Sequence, residues 1–151
     1  MKTASIFLGL AMLGMAGFAQ AAPNCSIKLK ANDSMQFDQK AVSVSASCPT
    51  ITIELTHTGK LPVAAMGHNV VIVGTPDFAA VAKDAIKAGA ANGYVPAGDK
   101  RVLASTKMIG GGESTKATLP GKSLKAGGDF TFFCSFPGHS ALMKGVVTVV
   151  P

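Results

Sequence analysis

Charged side chains are scarce in this sequence. Of its 151 residues, 15% are charged, whereas 48% are hydrophobic. Intrinsic disorder is excluded, because such a chain has ample apolar surface with which to build a core. The 14 basic residues outnumber the 8 acidic ones, but they form no cluster and are not interleaved with aromatic residues. The sequence therefore lacks the features of a nucleic-acid-binding protein, and its net charge of +6 favours acidic protein partners or anionic surfaces.

Long apolar runs are also missing, apart from one at the N-terminus. Lys2 precedes an apolar run over 6–18, and Ala19-Gln20-Ala21 then offers a cleavage pattern of small residues. Because this run of 13 residues is short for a membrane span, we expect residues 1–21 to be a cleaved secretory signal peptide. A single membrane anchor is the alternative. Residues 22–151 would then form one domain, since no repeat or linker divides them.

Apolar and polar residues alternate through most of the remaining chain. Ile51, Ile53 and Leu55 alternate with polar residues, and the same alternation places His57 on the inward face. Runs of this kind are separated by turn signals rich in glycine, asparagine and aspartate. The predicted strands lie around 27–29, 42–44, 51–57, 69–73, 101–104, 114–119, 130–134 and 145–150. Short strands with frequent turns favour an antiparallel β-sandwich.

One segment breaks the strand pattern. Thr75 can cap a helix, Pro76 suits the first helical position, and Asp77 suits the positive end of the helix dipole. Apolar residues then recur at helical spacing up to Ile86, and Gly89 provides a stop. The pattern predicts a helix over about 76–88, inserted between two strands and packed on the outside of the sandwich. A mobile flap without fixed packing is the alternative.

The chain contains three cysteines, an odd number that leaves one thiol without a partner in the chain. Cys25 and Cys48 flank strand-like runs near the start of the mature chain, whereas Cys134 lies far away in a segment that contains a histidine. The simplest pairing is a Cys25–Cys48 disulfide. A leftover thiol in an oxidising compartment is a liability unless something occupies it, so Cys134 is the first indication of function.

The loop after Cys134 carries the residues with metal-binding chemistry. Cys134, His139 and Met143 form the motif C-x4-H-x3-M between two predicted strands, and His68 lies 66 residues before the cysteine. Two imidazoles and a thiolate in one plane, with a weak and distant thioether, suit copper that cycles between Cu(II) and Cu(I). A rigid sandwich changes little when the charge of such a site changes. The arrangement therefore favours electron transfer over chemistry on a substrate.

Each of these residues also has a simpler interpretation. Cys134 could be a small core hydrophobe, His139 a solvated turn residue, and Met143 filler in the core. Zinc is the rival metal, but it prefers a fourth strong ligand, which methionine is not. A nucleophilic Cys–His pair is the catalytic rival, although the surrounding sequence suggests neither an orienting asparagine nor an oxyanion loop. The joint spacing and order of the donors favour copper over these alternatives.

The motifs in this order resemble those of the azurins, blue-copper proteins of the cupredoxin family. The resemblance covers residues 22–151 and includes the N-terminal cysteine pair, Gly67-His68-Asn69, the predicted helix, the turn at 110–113 and the C-x4-H-x3-M loop. A single cysteine in that loop argues against the related binuclear copper site, which uses two. The resemblance implies an all-β fold, a cupredoxin-like Greek-key β-sandwich with one short helical insertion around 76–88. The absence of tryptophan is a departure, since the best-known azurins bury one in the sandwich.

The resemblance also implies roles for individual residues. The residues that match the family's metal ligands are His68, Cys134 and His139 as equatorial ligands, Met143 as the distant axial ligand, and Gly67, whose carbonyl oxygen approaches from the other side. Asn69 matches the residue that ties the two ligand loops together and forms hydrogen bonds near the thiolate.

The function implied by the resemblance is that of an electron carrier, not an enzyme. We expect a periplasmic protein that holds one copper ion, without a membrane span in the mature chain. Its partners would be c-type cytochromes and periplasmic reductases or dehydrogenases, and no nucleic acid. A non-redox copper carrier or buffer is the rival. Such carriers use exposed tracts rich in methionine and histidine, whereas this chain has 3 histidines and, signal peptide included, 7 methionines.

Two further predictions concern the surroundings of the site. The apolar residues Leu61 and Met66 before Gly67, and Phe136 and Pro137 in the ligand loop, predict an apolar docking patch around His139, whose ring edge would lie close to the surface. Burial of Phe136 in the core is the alternative. His57 matches a histidine near the copper loops of azurins, which predicts a pH-linked role; a satisfied core histidine is the alternative.

Overall fold

The structure is a computed structural model that describes residues 22–151. This part of the chain contains nine strands and two α-helices. The predicted signal peptide lies outside the described residues. The strands are β1 (Ser26–Asn32), β2 (Gln36–Phe37), β3 (Ala41–Ser45), β4 (Thr50–His57), β5 (Val71–Gly74), β6 (Val102–Ser105), β7 (Ser114–Pro120), β8 (Phe130–Phe133) and β9 (Lys144–Val150). The helices are α1 (Val63–Met66) and α2 (Phe78–Ala88). Within residues 22–151, no helix has both the length and the apolar character needed to cross a membrane.

The strands form two sheets that pack face to face. One sheet has the order β2-β1-β4-β7 and the other the order β3-β9-β8-β5-β6. The predicted β-sandwich is confirmed, but the expectation that it is antiparallel is wrong for two pairs, since β1 runs parallel to β4 and β3 parallel to β9. The alternation of residues shows which face of a strand is buried. It carries no information about the direction of the neighbouring strand.

The core lies between the two sheets and consists mainly of aliphatic side chains. In β4 every second residue from Ile51 to His57 is buried, as the alternation predicts. Phe37 and Phe132 supply the aromatic contact between the sheets, with ring centroids 5.6 Å apart. Aliphatic and phenylalanine side chains thus fill the core of a chain that contains no tryptophan.

Helix α2 packs on the outer face of the five-stranded sheet. Val81 and Ala85 are fully buried, and Val81 packs with Val71, Val73 and Phe133, whose side chains point away from the core between the sheets. The helix thus lies where the sequence predicts, but it begins at Phe78, later than expected. Thr75–Asp77 form a 3₁₀ turn instead, because the hydroxyl of Thr75 donates to Asp129, at 2.8 Å, and does not cap the helix.

The disulfide joins the start of β1 to the segment after β3. Cys25 and Cys48 are bonded, with their Cα atoms 5.5 Å apart, which confirms the predicted pairing. Cys134 is the free cysteine within the described residues, and it is buried. The disulfide ties the N-terminus to the sandwich, while the third cysteine is left for another role.

Candidate metal centre

Three segments bring the predicted donors together. Cys134 directly follows β8, where strand alternation places it on the same inner face as Phe132. His139 begins a single 3₁₀ turn, His139–Ala141, that leads into β9. His68 lies between helix α1 and strand β5, where its backbone pairs with Ile109. The sandwich therefore determines the positions of all three side chains.

The donor atoms form a compact buried group. The Sγ atom of Cys134 lies 3.8 Å from Nδ1 of His68 and 3.6 Å from Nδ1 of His139. The three donor atoms all lie within 4.8 Å of one another. Trigonal ligands at bond lengths of about 2.0–2.3 Å place sulfur and nitrogen atoms roughly 3.8 Å apart. The spacing of these side chains therefore fits one metal ion among them.

Gly67 and Met143 both contact Cys134 through their backbone carbonyl groups. The carbonyl oxygen of Gly67 lies 3.8 Å from Sγ of Cys134. A Cβ atom at position 67 would come within 2.8 Å of Phe136 and 2.7 Å of the Val63 carbonyl, so only glycine allows this approach. Met143 is fully buried, and its carbonyl accepts the N–H of Cys134 at 2.9 Å.

A backbone carbonyl orients the ring of His68. Nε2 of His68 lies 2.9 Å from the carbonyl oxygen of Asn32. Since a carbonyl only accepts hydrogen bonds, Nε2 carries the proton and Nδ1 keeps its lone pair for a metal. The sequence analysis missed Asn32 because its backbone, not its side chain, makes this contact. The only signal there was a turn pattern.

Asn69 links the two ligand segments by hydrogen bonds. Its Nδ2 donates to the hydroxyl of Ser135 at 2.8 Å, and its Oδ1 accepts the N–H of Ser135 at 2.9 Å. Both residues are buried, so these bonds are shielded from competing water. Because Asn69 follows His68 and Ser135 follows Cys134, the pair fixes the two donors relative to each other.

Burial sets the protonation of the donors. Burial lowers the pKa of His68 to about 4 and also lowers the pKa of His139. Both imidazoles are therefore neutral at pH 7, which is the form that binds metals. Burial raises the pKa of the Cys134 thiol to about 11, so the sulfur keeps its proton until a cation replaces it. A buried metal ion would compensate the charge of the thiolate.

His57 lies behind the site. It is fully buried, and its ring centroid is 4.5 Å from that of His68. Its Nε2 is 3.6 Å from a carboxylate oxygen of Asp33, and neither ring nitrogen has a hydrogen-bond partner in the described part of the chain. The inward position of His57 agrees with the strand alternation. Its link to pH stays a prediction from the sequence.

The four residues of the predicted docking patch differ in their exposure to solvent. Leu61 is 41% exposed and Pro137 is also exposed, whereas Met66 and Phe136 are half-buried. His139 itself is 3% exposed, so less of its ring reaches the surface than the uncharged loop suggests. Phe136 covers it, with ring centroids 4.6 Å apart.

Tyr94 is a neighbour of the site that the sequence analysis missed. Its ring packs against Phe136 at a centroid distance of 5.5 Å, so it supports the side chain that covers His139. The backbone of Tyr94 has a φ of 55°, which is uncommon for a residue other than glycine. It lies 42 residues before Phe136 in a segment without strand or helix periodicity, and no pattern linked the two.

Comparisons with known proteins agree with this site. Residues 23–150 match the family described as copper binding proteins, plastocyanin/azurin family. The azurin of Bordetella pertussis is 52% identical over 142 residues, which cover 94% of this chain and 95% of that protein. The azurin of Alcaligenes faecalis is 54% identical over 123 residues, which cover 82% of this chain and 96% of that one. The structure of an azurin (Az-iso2) from Methylomonas sp. strain J superposes with a TM-score of 0.81 at 38% identity, covering 84% of this chain and 98% of that one.

The sandwich and its buried group of two imidazoles and one thiol define a copper protein of the cupredoxin type. The chain belongs to the plastocyanin/azurin family of copper-binding proteins. Azurins are blue-copper proteins that transfer single electrons, and the function of this chain is that of its family.

Proposed function

We propose that this chain is a periplasmic electron carrier in which His68, Cys134 and His139 hold one copper ion. The Met143 thioether and the Gly67 carbonyl would complete the site as weak ligands from opposite sides. The observation that carries the proposal is the buried group of three donor atoms within 4.8 Å of one another. A bound copper ion would supply a centre that alternates between Cu(II) and Cu(I).

The protein contributes a fixed and dry environment for that change of charge. The hydrogen bonds between Asn69 and Ser135 and the bond from His68 to the Asn32 carbonyl hold the donors in place. Because these contacts do not depend on the charge of the metal, the donors need little movement when an electron arrives or leaves. A small reorganisation is what fast electron transfer requires.

Burial of the donors favours a carrier over an enzyme. His68 and Cys134 have no exposed surface and His139 is 3% exposed. A substrate would have no access to the metal, whereas an electron can tunnel through the thin cover around His139. This observation also disfavours the nucleophilic Cys–His pair, since Cys134 cannot reach a substrate.

The cellular role in this proposal follows the family. Residues 1–21 would be a signal peptide removed on export, and residues 22–151 would form a single copper-binding domain; the family match, which begins at residue 23, supports this boundary. The carrier would exchange electrons with c-type cytochromes and with periplasmic reductases or dehydrogenases. The docking patch of Leu61, Met66, Phe136 and Pro137 would make the contact through its apolar surface.

A redox titration in the presence of a chelator tests this function. The copper-loaded protein should titrate reversibly as a one-electron couple. A copper chelator added to the oxidised or to the reduced protein should remove little metal over several redox cycles. A copper buffer, the rival function, would release its metal to the chelator. Loss of copper on each reduction would therefore reject the electron carrier, and His139→Gly supplies a control with a weakened site.

A further inference from the structure

Helix α2 and the end of the ligand loop enclose a shallow groove that the metal centre does not use. The groove has a volume of about 350 Å³. Phe78 and Ala82 form its floor, and Lys83 and Ile86 form its rim on the helix. The opposite rim consists of Ser140 and Ala141 in the 3₁₀ turn and Lys144 at the start of β9. We refer to these residues as the α2 groove.

The helix turns a partly exposed face towards this groove. Val81 and Ala85 are buried against the sheet, so the residues at the spacing of 79, 82, 83 and 86 lie on another face. Ile86 is 57% exposed there. Together with the half-buried Phe78 and Ala82, Ile86 forms one contiguous apolar surface in the groove, as at surfaces that contact another protein.

The rim of the α2 groove carries positive charge that nothing in the described part of the chain neutralises. Lys83 and Lys144 take part in none of the ion pairs found among residues 22–151, and Asp77, which precedes Phe78, pairs with neither. The Nζ atom of Lys144 lies 5.0 Å from the ring centroid of Phe78. This cation–π contact holds the ammonium at the rim without removing its charge.

The acidic residue within α2, Asp84, is already paired. The carboxylate of Asp84 lies 3.1 Å from Nζ of Lys87 and 2.8 Å from the guanidinium of Arg101. Lys40 adds a third positive charge beside the loop, where it donates to the carbonyl of Leu142 at 2.7 Å. The surface around the groove therefore combines exposed apolar side chains with unpaired lysines.

The α2 groove is also close to the metal centre. Ser140 and Ala141, which line it, directly follow His139 in the same 3₁₀ turn. A protein bound in the groove would contact residues that follow a proposed copper ligand by one or two positions in the sequence. The groove thus lies where a bound partner could exchange electrons through the loop.

We propose that the α2 groove is a docking site for an acidic redox protein that presents an apolar side chain surrounded by carboxylates. The apolar side chain would contact Phe78 and Ile86, and the carboxylates would pair with Lys83 and Lys144. This inference rests on the proposed function as an electron carrier. It adds a second contact surface to the docking patch of Leu61, Met66, Phe136 and Pro137. Pairing between exposed charges makes the complex fast to form and sensitive to salt.

A peptide titration followed by NMR tests the binding. The probe is the peptide Glu-Glu-Leu-Glu-Glu, blocked at both ends, added at low ionic strength to the ¹⁵N-labelled, copper-loaded and reduced protein. The amide signals of residues 79–86 and 140–144 should shift, and less so with serine in place of leucine in the peptide. The double variant Lys83→Glu/Lys144→Glu should bind the peptide about tenfold more weakly. The control variant Lys28→Glu/Lys122→Glu makes the same change of charge in β1 of the four-stranded sheet and in the turn after β7. It should bind the peptide nearly as the parent does.

A second measurement separates binding from electron transfer. Oxidation of the reduced protein by ferricyanide, a small anionic oxidant, should be several-fold slower in the groove variant than in the control variant, while the visible spectrum stays the same. Peptide shifts centred on other lysines, or equal losses in the two variants, would overturn the docking site. Peptide binding in the groove with equal ferricyanide rates would overturn its redox role. Failure of the proposed function would instead show in the parent protein, as the absence of a reversible one-electron couple.

Discussion

Replacing Asn69 by alanine tests how far the hydrogen bonds between the ligand segments stabilise the protein. Asn69→Ala removes the acceptor of the Ser135 N–H and the donor to the Ser135 hydroxyl, with present distances of 2.9 and 2.8 Å. Both groups of Ser135 stay buried. A buried polar group without a partner costs about 1–3 kcal/mol. We expect the free energy of unfolding to fall by about 2–4 kcal/mol.

Urea unfolding of the metal-free protein measures this loss without the contribution of a bound ion. The control is Asn92→Ala, which removes an exposed hydrogen bond to the Ala88 carbonyl of 2.8 Å and should change stability by less than about 0.5 kcal/mol. Ser135→Ala in the Asn69→Ala background should cost less than in the parent, because the hydroxyl has already lost its partner. An Asn69→Ala protein as stable as the Asn92→Ala protein would refute the reasoning.

Three further perturbations test other parts of the account. Reduction of the Cys25–Cys48 disulfide should lower the free energy of unfolding by about 2–5 kcal/mol without loss of copper. Titration of the unfolded, unreduced apoprotein should count one thiol, and a count of three would contradict the pairing. Met66→Lys should slow electron self-exchange several-fold at low ionic strength, because it places like charges face to face; an unchanged rate would remove Met66 from the docking patch. Arg101 holds the pKa of Asp99 at about 2, below its usual 3.8, so the pair stabilises the fold above pH 3.8 and loses this contribution as the pH falls through 2. Asp99→Asn should accordingly be less stable than the parent at pH 7 and equal to it below pH 2, and equal stability at pH 7 would contradict the ion pair.

The features that depend on local pattern were predictable from the sequence. Alternation in the segment 51–57 predicts the buried face of β4, including His57, because side chains in a strand point to opposite faces by geometry. The spacing of Cys134 and His139 predicts a shared site, since the two residues lie on one short loop. His68 was predicted from its chemistry as the second imidazole and then from the family resemblance, whereas its place beside Cys134 depends on the pairing of β5 with β8.

The features that depend on contacts between distant segments were not predictable. The parallel pairing of β1 with β4 follows from the path of the chain through the other sheet, which alternation does not encode. The later start of α2 follows from the hydrogen bond between Thr75 and Asp129, 54 residues apart. The Asn32 carbonyl that orients His68 left no signal, because every residue has a carbonyl.

The visible absorption spectrum of the copper-loaded, oxidised protein tests the central claim most directly. If Cys134 is a thiolate bonded to Cu(II), the protein should be intensely blue because of sulfur-to-copper charge transfer, and Cys134→Ser should abolish the band while the fold remains. A colourless copper-loaded parent, or a blue Cys134→Ser variant, would contradict the assignment of Cys134 as a copper ligand.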